Sequence, residues 1–262
     1  MKIYCSFLFI LLVSLGCKRE QVALFNYPPY QTDKKALGVF LTATWSERSG
    51  DTGIPTFYAA VDSFGGRMIP MAAHAATVGD AFYSLAASQF YSLYNAEELP
   101  SLGVNALGFP LAGIDDFRLE IIRQTTQLSG NDLIPAQPDA VLACAKQING
   151  RTFRAKVKVR IEKPVTNASL QLAIYITENR VLGNQEGKEN SFFHDYVLRG
   201  GATAGPWGVI WKSGNFVVGE TFEQEVTYQI TEDMDSNQLS VIAVLYRMVD
   251  GYPVEVLNCN KL

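Results

Sequence analysis

The stretch that decides the fold reads Thr44-Trp45-Ser46-Glu47-Arg48-Ser49. It lies between a short apolar run, 36–43, and a segment, 56–64, whose apolar residues recur at helical spacing. This is the setting of a Trp-Cys-x-x-Cys redox motif, but serine stands at both cysteine positions. A thiolate at a helix N-terminus is a stabilised nucleophile, and two hydroxyls cannot replace it. The sequence therefore predicts a redox-type scaffold without its redox chemistry.

The composition is that of a globular protein. Of the 262 residues, 48% are hydrophobic and 18% are charged, which permits a packed core and argues against disorder. The formal net charge of −4 is mild. Basic residues concentrate at alternate positions of one segment, 154–160, which is typical of a solvated strand face and not of a nucleic-acid footprint. We expect no nucleic-acid partner.

Residues 1–16 have the features of a lipoprotein signal peptide. Lys2 forms a short positive region, and the apolar stretch 3–15 is too short to span a bilayer. Gly16 stands directly before Cys17, as in a bacterial lipobox, where the signal is cut before the cysteine and that cysteine is lipidated. We expect a lipid-anchored protein of the outer membrane, on its periplasmic face or at the cell surface. The alternative is an ordinary signal peptide with a coincidental cysteine.

Residues 36–136 alternate between apolar runs and helical patterns, after a polar, proline-marked tether at 17–35. Alternation of this kind predicts an α/β sheet with helices on its faces. Strand, active loop, helix, strand, helix, Pro-initiated strand and helix is also the element order of a thioredoxin-like domain. The predicted strands are 36–43, 68–74 and 99–105, and the predicted helices are 56–64, 81–94 and 113–128.

Residues 137–262 read almost entirely as strands. Short strands joined by Gly, Asn and Asp turns predict an antiparallel β-sandwich. Trp207 and Trp211 lie four residues apart, so we expect them to share one face of a strand and to pack in the core. The predicted strands are 140–148, 152–162, 168–177, 192–199, 207–211, 221–230, 239–249 and 254–259.

The second half carries a family likeness. The segment 172–179 reads Leu-Ala-Ile-Tyr-Ile-Thr-Glu-Asn, Gln185 follows, and 194–199 reads His-Asp-Tyr-Val-Leu-Arg. In these motifs the chain resembles the outer membrane protein 28 family of Bacteroidota lipoproteins. The resemblance implies a thioredoxin-like domain followed by a β-sandwich, with a lipid anchor. That family often shows Thr-Gly-x-Trp-Cys-x-x-Cys-Pro, to which 42–50 corresponds here without either cysteine or the proline.

Three hypotheses apply to Ser46 and Ser49. In the first, one of the two serines caps the following helix. Its side-chain oxygen accepts a hydrogen bond from a backbone N–H that has no partner within the helix. Alternatively, Ser46 is a nucleophile, which requires a base within hydrogen-bond reach. The chain has only 2 histidines, and His74 ends a predicted strand near the loop. In the third hypothesis the loop keeps a recognition surface around Trp45 and performs no chemistry.

Pro100 is the second candidate binding residue, beside Trp45. A proline at this strand start is cis in thioredoxin-like domains and lies next to the active loop, where it helps to hold an extended peptide. A cis X–Pro bond is otherwise uncommon. The alternative is an ordinary trans proline at a strand start. We predict the cis form, and with it a peptide-binding edge that survives the loss of the thiols.

Cys144 and Cys259 are the cysteines of the predicted β-sandwich. Export to an oxidising compartment would allow a disulfide between the first and last strands. The alternative is two buried thiols that pack as small hydrophobic groups. In neither case do they form a catalytic pair.

No metal or cofactor is expected. The histidines fall in different halves without a Cys/His ligand spacing, and the acidic runs lack EF-hand spacing. Two functional hypotheses remain open. The first is a non-catalytic binding or structural module for peptides, proteins or glycans in the cell envelope. The second is an envelope enzyme, either a thiol-disulfide oxidoreductase or a hydrolase that uses Ser46 with His74.

Overall fold

The computed structural model describes residues 26–74, 79–129, 132–189 and 191–262. The predicted signal peptide and Cys17 lie outside these residues. The helices are α1 (Ile54–Phe64), α2 (Leu85–Tyr94) and α3 (Ile114–Thr125). The strands are β1 (Ala36–Thr42), β2 (Met68–His74), β3 (Ser101–Val104), β4 (Leu107–Pro110), β5 (Thr126–Ser129), β6 (Asp132–Pro135), β7 (Ala140–Asn149), β8 (Thr152–Ile161), β9 (Val165–Glu178), β10 (Val181–Gly183), β11 (Phe192–His194), β12 (Val197–Gly201), β13 (Val209–Phe216), β14 (Thr221–Gln229), β15 (Leu239–Val249) and β16 (Tyr252–Lys261).

One mixed sheet of 9 strands runs through both halves of the chain, in the order β16-β15-β9-β12-β2-β1-β3-β4, with β13 also paired to β9. In the first half β1 and β2 are parallel, whereas β3 is antiparallel to β1 and β4. The halves join where Val197 of β12 pairs in parallel with Ala72 of β2. The predicted division after residue 136 therefore separates two parts that share a sheet.

The second half forms a sandwich, because β14-β8-β7 is a separate three-stranded sheet that covers one face of β9 and β15. Strand β8 alternates strictly between buried and half-buried residues, as its apolar/basic alternation predicts. Its outward basic residues face acidic residues of β14, and ion pairs join Lys156 to Glu223 and Arg154 to Glu225. The sandwich therefore consists of this three-stranded sheet packed on part of the 9-stranded sheet.

Helices cover the first half on both faces. Phe57 of α1 and Phe117 of α3 are buried with Phe40 on one side of β1, whereas Phe90 of α2 is buried with Leu41 on the other. All of β1 is buried, as expected for an apolar strand between two helical layers. The core under α2 continues into the second half through residues of β9 and β15, so the two halves share a hydrophobic core.

Several elements differ from the sequence prediction. Segment 192–199, predicted as one strand, is split into β11 and β12 because Tyr196 adopts a φ of 62° and breaks the extended path. Helix α2 begins at Leu85, not at 81, since the Ser84 side chain accepts a hydrogen bond from the Ala87 amide and caps it there. The short strands β4, β5, β6 and β10 were not predicted.

Trp207 and Trp211 both pack against hydrophobic cores, as predicted, but against different ones, so the predicted shared face was wrong. Trp207 precedes β13 and packs under α2, at 5.4 Å between its ring centroid and that of Phe90. Trp211 packs against the sandwich core, stacked on Phe222. Strand β13 also carries a register shift between Ile210 and Lys212, which disrupts simple alternation.

The described part of the tether is bound to the second half. The Gln31 amide donates to the Leu142 carbonyl at 3.0 Å, and Lys34 Nζ donates to the Leu257 carbonyl at 2.7 Å. The Arg160 guanidinium lies 4.4 Å from the ring centroid of Tyr30. Within the ranges described above, no helix combines the length and the hydropathy needed to cross a membrane.

Candidate functional site

The Trp45 loop connects the end of β1 to a short helical turn, Ser49–Gly53, that leads into α1. The Ser46 amide donates to the Ala43 carbonyl at 3.2 Å, and the Gly50 amide donates to the Ser46 carbonyl at 3.1 Å. Ser46 Oγ accepts from the Ser49 amide at 3.2 Å, which is the hydrogen bond that the capping hypothesis requires. Ser46 is 9% exposed and Ser49 is 0% exposed. The serines that replace the cysteines of the motif are therefore buried.

The second half contacts the Trp45 loop. We call Asn184–Lys188, between β10 and β11, the cover loop. Its Glu186 amide donates to the Thr44 carbonyl at 2.8 Å. Gln185 is 3% exposed, and its Nε2 donates to the carbonyls of Ala43 at 3.2 Å and Ser46 at 3.1 Å. The cover loop thus binds the backbone of the Trp45 loop directly.

Two glycines make this close approach possible. A Cβ added to Gly50 would lie 1.9 Å from the Glu186 carbonyl oxygen, closer than any non-bonded contact allows. Gly187 has a φ of +78°, and its added Cβ would lie 2.6 Å from the Glu47 carbonyl oxygen. A side chain at position 50 is therefore incompatible with the observed position of the cover loop.

Pro100 lies against the helical turn that follows the loop. The Leu99–Pro100 peptide bond is cis, as the sequence predicts. A Cβ on Gly53 would lie 2.8 Å from Pro100 Cγ, so the two residues are in close contact. Pro100 is itself buried. The structure therefore brings Pro100 to the segment that the sequence singles out, in a buried position.

His74 pairs with Asp80 and not with Ser46. Its Nδ1 lies 3.2 Å from Asp80 Oδ1, and both side chains are buried. Asp80 also accepts hydrogen bonds from the amides of Thr44 at 2.8 Å and Phe82 at 2.9 Å. Burial alone would raise the pKa of Asp80, but His74 and the two amides outweigh it and lower that pKa. In the part of the chain that the structure describes, no hydrogen bond links Ser46 to His74.

His194 completes a buried aromatic and polar cluster beneath the cover loop. Its ring centroid lies 5.6 Å from that of His74 and 4.8 Å from that of Phe82. Burial, reinforced by the neighbouring His74, lowers the pKa of His194 to about 4. The neutral ring therefore connects the end of β2 to the hairpin that carries the cover loop.

Cys144 and Cys259 are both free and buried, so no disulfide joins them. Cys144 belongs to the sandwich core, and Cys259 belongs to the core under α2, on the other face of the large sheet. Burial raises the pKa of each thiol to about 12, which keeps them protonated at neutral pH. Neither has the low pKa of a redox-active cysteine.

Trp45 is the exposed member of the loop, at 49% exposure. It forms one wall of a cleft of about 280 Å³, whose other wall is the segment 184–189. Over the described residues, no group of three or more His, Cys, Asp or Glu side chains is arranged to hold a metal ion.

Sequence reasoning missed Asp80, Gln185 and Gly50. Asp80 lies in no periodic pattern, and its partners come from the ends of β1 and β2. Gln185 was noted only as part of a family pattern, and its role depends on contacts with residues more than 130 positions away in the chain. The one available signal was the glycine at position 50 in place of the family's proline.

No protein-family model matches the chain, and no curated protein sequence matches it. Among solved structures, HBP35 of Porphyromonas gingivalis is similar with a TM-score of 0.65 and 14% identity, over 89% of this chain and 76% of that one. A domain of the outer membrane lipoprotein Omp28 from the same organism matches with a TM-score of 0.32 and 18% identity, over 48% of this chain and 87% of that one. The chain therefore shares with HBP35 a fold that combines an α/β part with a β-rich part.

Proposed function

We propose that the chain is an exported, lipid-anchored envelope protein in which a thioredoxin-like domain is a non-catalytic binding or structural module. The sheet order β2-β1-β3-β4, with β3 antiparallel to β1, supports the thioredoxin-like assignment. The observation that carries the proposal is the burial of Ser46 and Ser49, at the position where a redox enzyme presents its thiols, in a loop whose Ser46 carbonyl is bonded by the cover loop.

Neither serine has both an open path to a substrate and a base that could activate its hydroxyl. A nucleophile must reach its substrate and needs a base in hydrogen-bond contact. Ser49 is fully buried, Ser46 Oγ is bonded to a backbone amide, and His74 is bonded to Asp80. The buried thiols of Cys144 and Cys259 have raised pKa values and offer no alternative. These contacts favour binding over an oxidoreductase or hydrolase function.

Export and anchoring rest on the leader. Lys2, the apolar stretch 3–15 and the Gly16-Cys17 junction are the features that a signal peptidase and a lipidating enzyme read. Replacing Cys17 with serine should release the protein from membranes of the native host, as measured by fractionation. A Cys17→Ser protein that remained in the membrane fraction would contradict the anchor.

The absence of catalysis is tested on the mature protein. We expect no insulin reduction and no disulfide isomerisation above the uncatalysed rate, and no labelling by a fluorophosphonate probe. A matched Ser46→Ala variant shows whether any labelling depends on that hydroxyl. Robust thiol turnover, or labelling that Ser46→Ala abolishes, would overturn the proposal.

A further inference from the structure

Part of the tether lies across one side of the sandwich. We call residues 27–35 the strap, and the outward side of β7, β8 and β14 the strap face. The ring centroid of Tyr27 lies 5.6 Å from the Nζ of Lys156 in the middle of β8, and the Gln31 amide donates to a carbonyl of β7. With the stacking of Tyr30 on Arg160, these contacts hold the N-terminal part of the strap on the strap face.

The strap limits how far the body of the protein can be from its lipid anchor. Tyr27 follows Cys17, the proposed lipid-attachment residue, by ten positions. Ten residues span at most about 33–36 Å when fully extended. Without the strap contacts, the 19 positions from Cys17 to Ala36 at the start of β1 could span about 63–68 Å. The strap therefore halves the greatest possible distance between the fold and the anchor.

The opposite side of the molecule is much farther from the strap. Leu172 of β9 packs on the three-stranded sheet, whereas its neighbour Ala173 packs under α2, so α2 and the strap face are on opposite sides of the large sheet. Stacked sheets are about 10 Å apart and a helix is about 10–12 Å in diameter, which puts the outer surface of α2 more than about 20 Å behind the strap face. A chain of ten residues that also passed round the edge of the sandwich would be almost fully extended. A bilayer that holds Cys17 therefore meets the strap face first.

The strap face also carries an excess of positive charge. The charged side chains at its outward positions are, on β8, Arg154, Lys156, Lys158 and Arg160 and, on β14, Glu223 and Glu225. Glu162, just after β8, pairs with Arg160 and still leaves one positive charge in excess. The chain as a whole has a net charge of −4. Anionic lipid headgroups attract Lys and Arg side chains placed near them, so the strap face suits the surface of an anionic bilayer.

We infer that the strap face is the surface of the protein that lies against the lipid bilayer, with Lys156 and Lys158 at the headgroups of anionic lipids. The inference rests on the lipid anchor of the proposed function. It adds the orientation of the body, in which the three-stranded sheet is next to the membrane and α2 points away from it.

The test couples the mature chain, residues 17–262, through the Cys17 thiol to vesicles of phosphatidylcholine with a maleimide lipid and about 30% phosphatidylglycerol. Cys144 and Cys259 are buried with raised pKa values and do not compete. Accessible lysines are acetylated with a water-soluble ester and located by mass spectrometry. Because the coupling is chemical, the result does not depend on whether the host lipidates Cys17, which the fractionation experiment tests separately.

The lysines of the strap face should be protected on the vesicles. We expect Lys156 and Lys158 to react at least about fivefold more slowly on coupled than on uncoupled protein, and Lys188 of the cover loop to react equally in both. Equal rates at Lys156 and Lys158 in the two states would overturn the inference. Protection of Lys188 in their place would also overturn it, since another side would then face the bilayer.

Variants separate the strap from a general effect of coupling. Tyr27→Ala/Tyr30→Ala removes both rings that hold the strap, and it should reduce the protection of the two lysines at least about twofold because the reach doubles. The matched control is Tyr83→Ala/Tyr252→Ala, at tyrosines that are 45% and 63% exposed elsewhere, and it should leave the protection unchanged. Full protection in Tyr27→Ala/Tyr30→Ala would overturn the role of the strap and with it the inference.

Charge variants test the choice of lipid. Arg154→Gln keeps both reporter lysines and removes one cation of the strap face, so it should lower the protection about twofold on the anionic vesicles. Arg48→Gln makes the same change at an exposed arginine of the first half and should have no effect. Equal protection on the anionic vesicles and on vesicles without phosphatidylglycerol would contradict the contact with anionic headgroups.

Discussion

The two sides of the Trp45 loop have opposite environments although they are adjacent in sequence. On the inner side Ser46 and Ser49 are buried beneath the cover loop, with hydrogen bonds that use the Ser46 hydroxyl and the loop backbone. On the outer side Trp45 is half exposed beside a polar cleft. The inner side is packed as protein interior, whereas the outer side is exposed to solvent.

The second half of the chain shapes the inner side. It supplies Gln185 and Glu186 to the backbone of the Trp45 loop, and Gly50 provides the space they need. The packing of the inner side therefore depends on both the Trp45 loop and the cover loop, and variants of either should disturb it.

The largest effect is expected from Gly50→Ala. The added methyl group would lie 1.9 Å from the Glu186 carbonyl oxygen, which belongs to the backbone and cannot rotate away. Overpacking of this kind costs about 1–3 kcal/mol, and we expect the upper end in urea unfolding. Gly66→Ala is the control, because nothing lies within 4 Å of its added Cβ. Equal midpoints for the two variants would show that the cover loop is not packed against the Trp45 loop.

Acid should loosen the same contact through His194. Its pKa is about 4 in the folded protein and about 6.5 in the unfolded chain, so the unfolded chain binds more protons between these values. The contribution of His194 to the free energy of unfolding should therefore be fully present above pH 6.5. It should fall as the pH is lowered towards 4 and level off below that value. The full loss is about 3 kcal/mol.

The control for this prediction is His194→Gln, which removes the titrating ring. Asp80 also contributes below neutral pH, since its lowered pKa makes its protonation destabilising in acid. Denaturation midpoints measured from pH 7 to 4 should decline less steeply in His194→Gln than in the native chain. Parallel declines would assign the acid sensitivity to other groups.

Gln185→Ala should cost about 1–2 kcal/mol. The substitution leaves the carbonyls of Ala43 and Ser46 without the amide that bonds them beneath the cover loop. It should also expose the inner side, which a Ser46→Cys reporter measures as faster alkylation by iodoacetamide. Gln224→Ala, at a half-buried glutamine whose amide donates to the neighbouring Glu225 carbonyl, is the control and should be neutral. An unchanged alkylation rate would mean that Gln185 does not hold the cover loop closed.

Much of the framework follows from local pattern. The apolar run of β1, the alternation of β8 and the position of the Trp45 loop before a helix could all be predicted, because each depends on neighbours within a few residues. The joining of the two halves could not. The sheet continues from one half to the other through one residue pairing, Val197 with Ala72, and the halves also share a core, and no periodicity encodes either contact.

The candidate site divides in the same way. Trp45, Ser46 and Pro100 were identifiable because a motif and an element order marked them. Asp80 and Gln185 were not, because their partners are brought together only when β2 and the β10–β11 hairpin meet the loop. The positive φ of Tyr196, which splits the predicted strand 192–199, could not be predicted either, because the surrounding residues are strand formers.

The smallest expected effect is on stability when Trp45 is shortened. Trp45→Leu removes an indole that is 49% exposed and has no ring partner among the described residues, so unfolding in urea should change by less than about 0.5 kcal/mol. Trp207→Leu is the matched control, because that indole is 6% exposed and packs edge-on against Phe90 and Tyr246. Its loss should cost about 3 kcal/mol. A small change in Trp45→Leu beside a large one in Trp207→Leu would show that the outer side of the loop is surface and not interior. A large loss of stability in Trp45→Leu would instead make the outer side part of the interior and remove the contrast between the two sides of the loop.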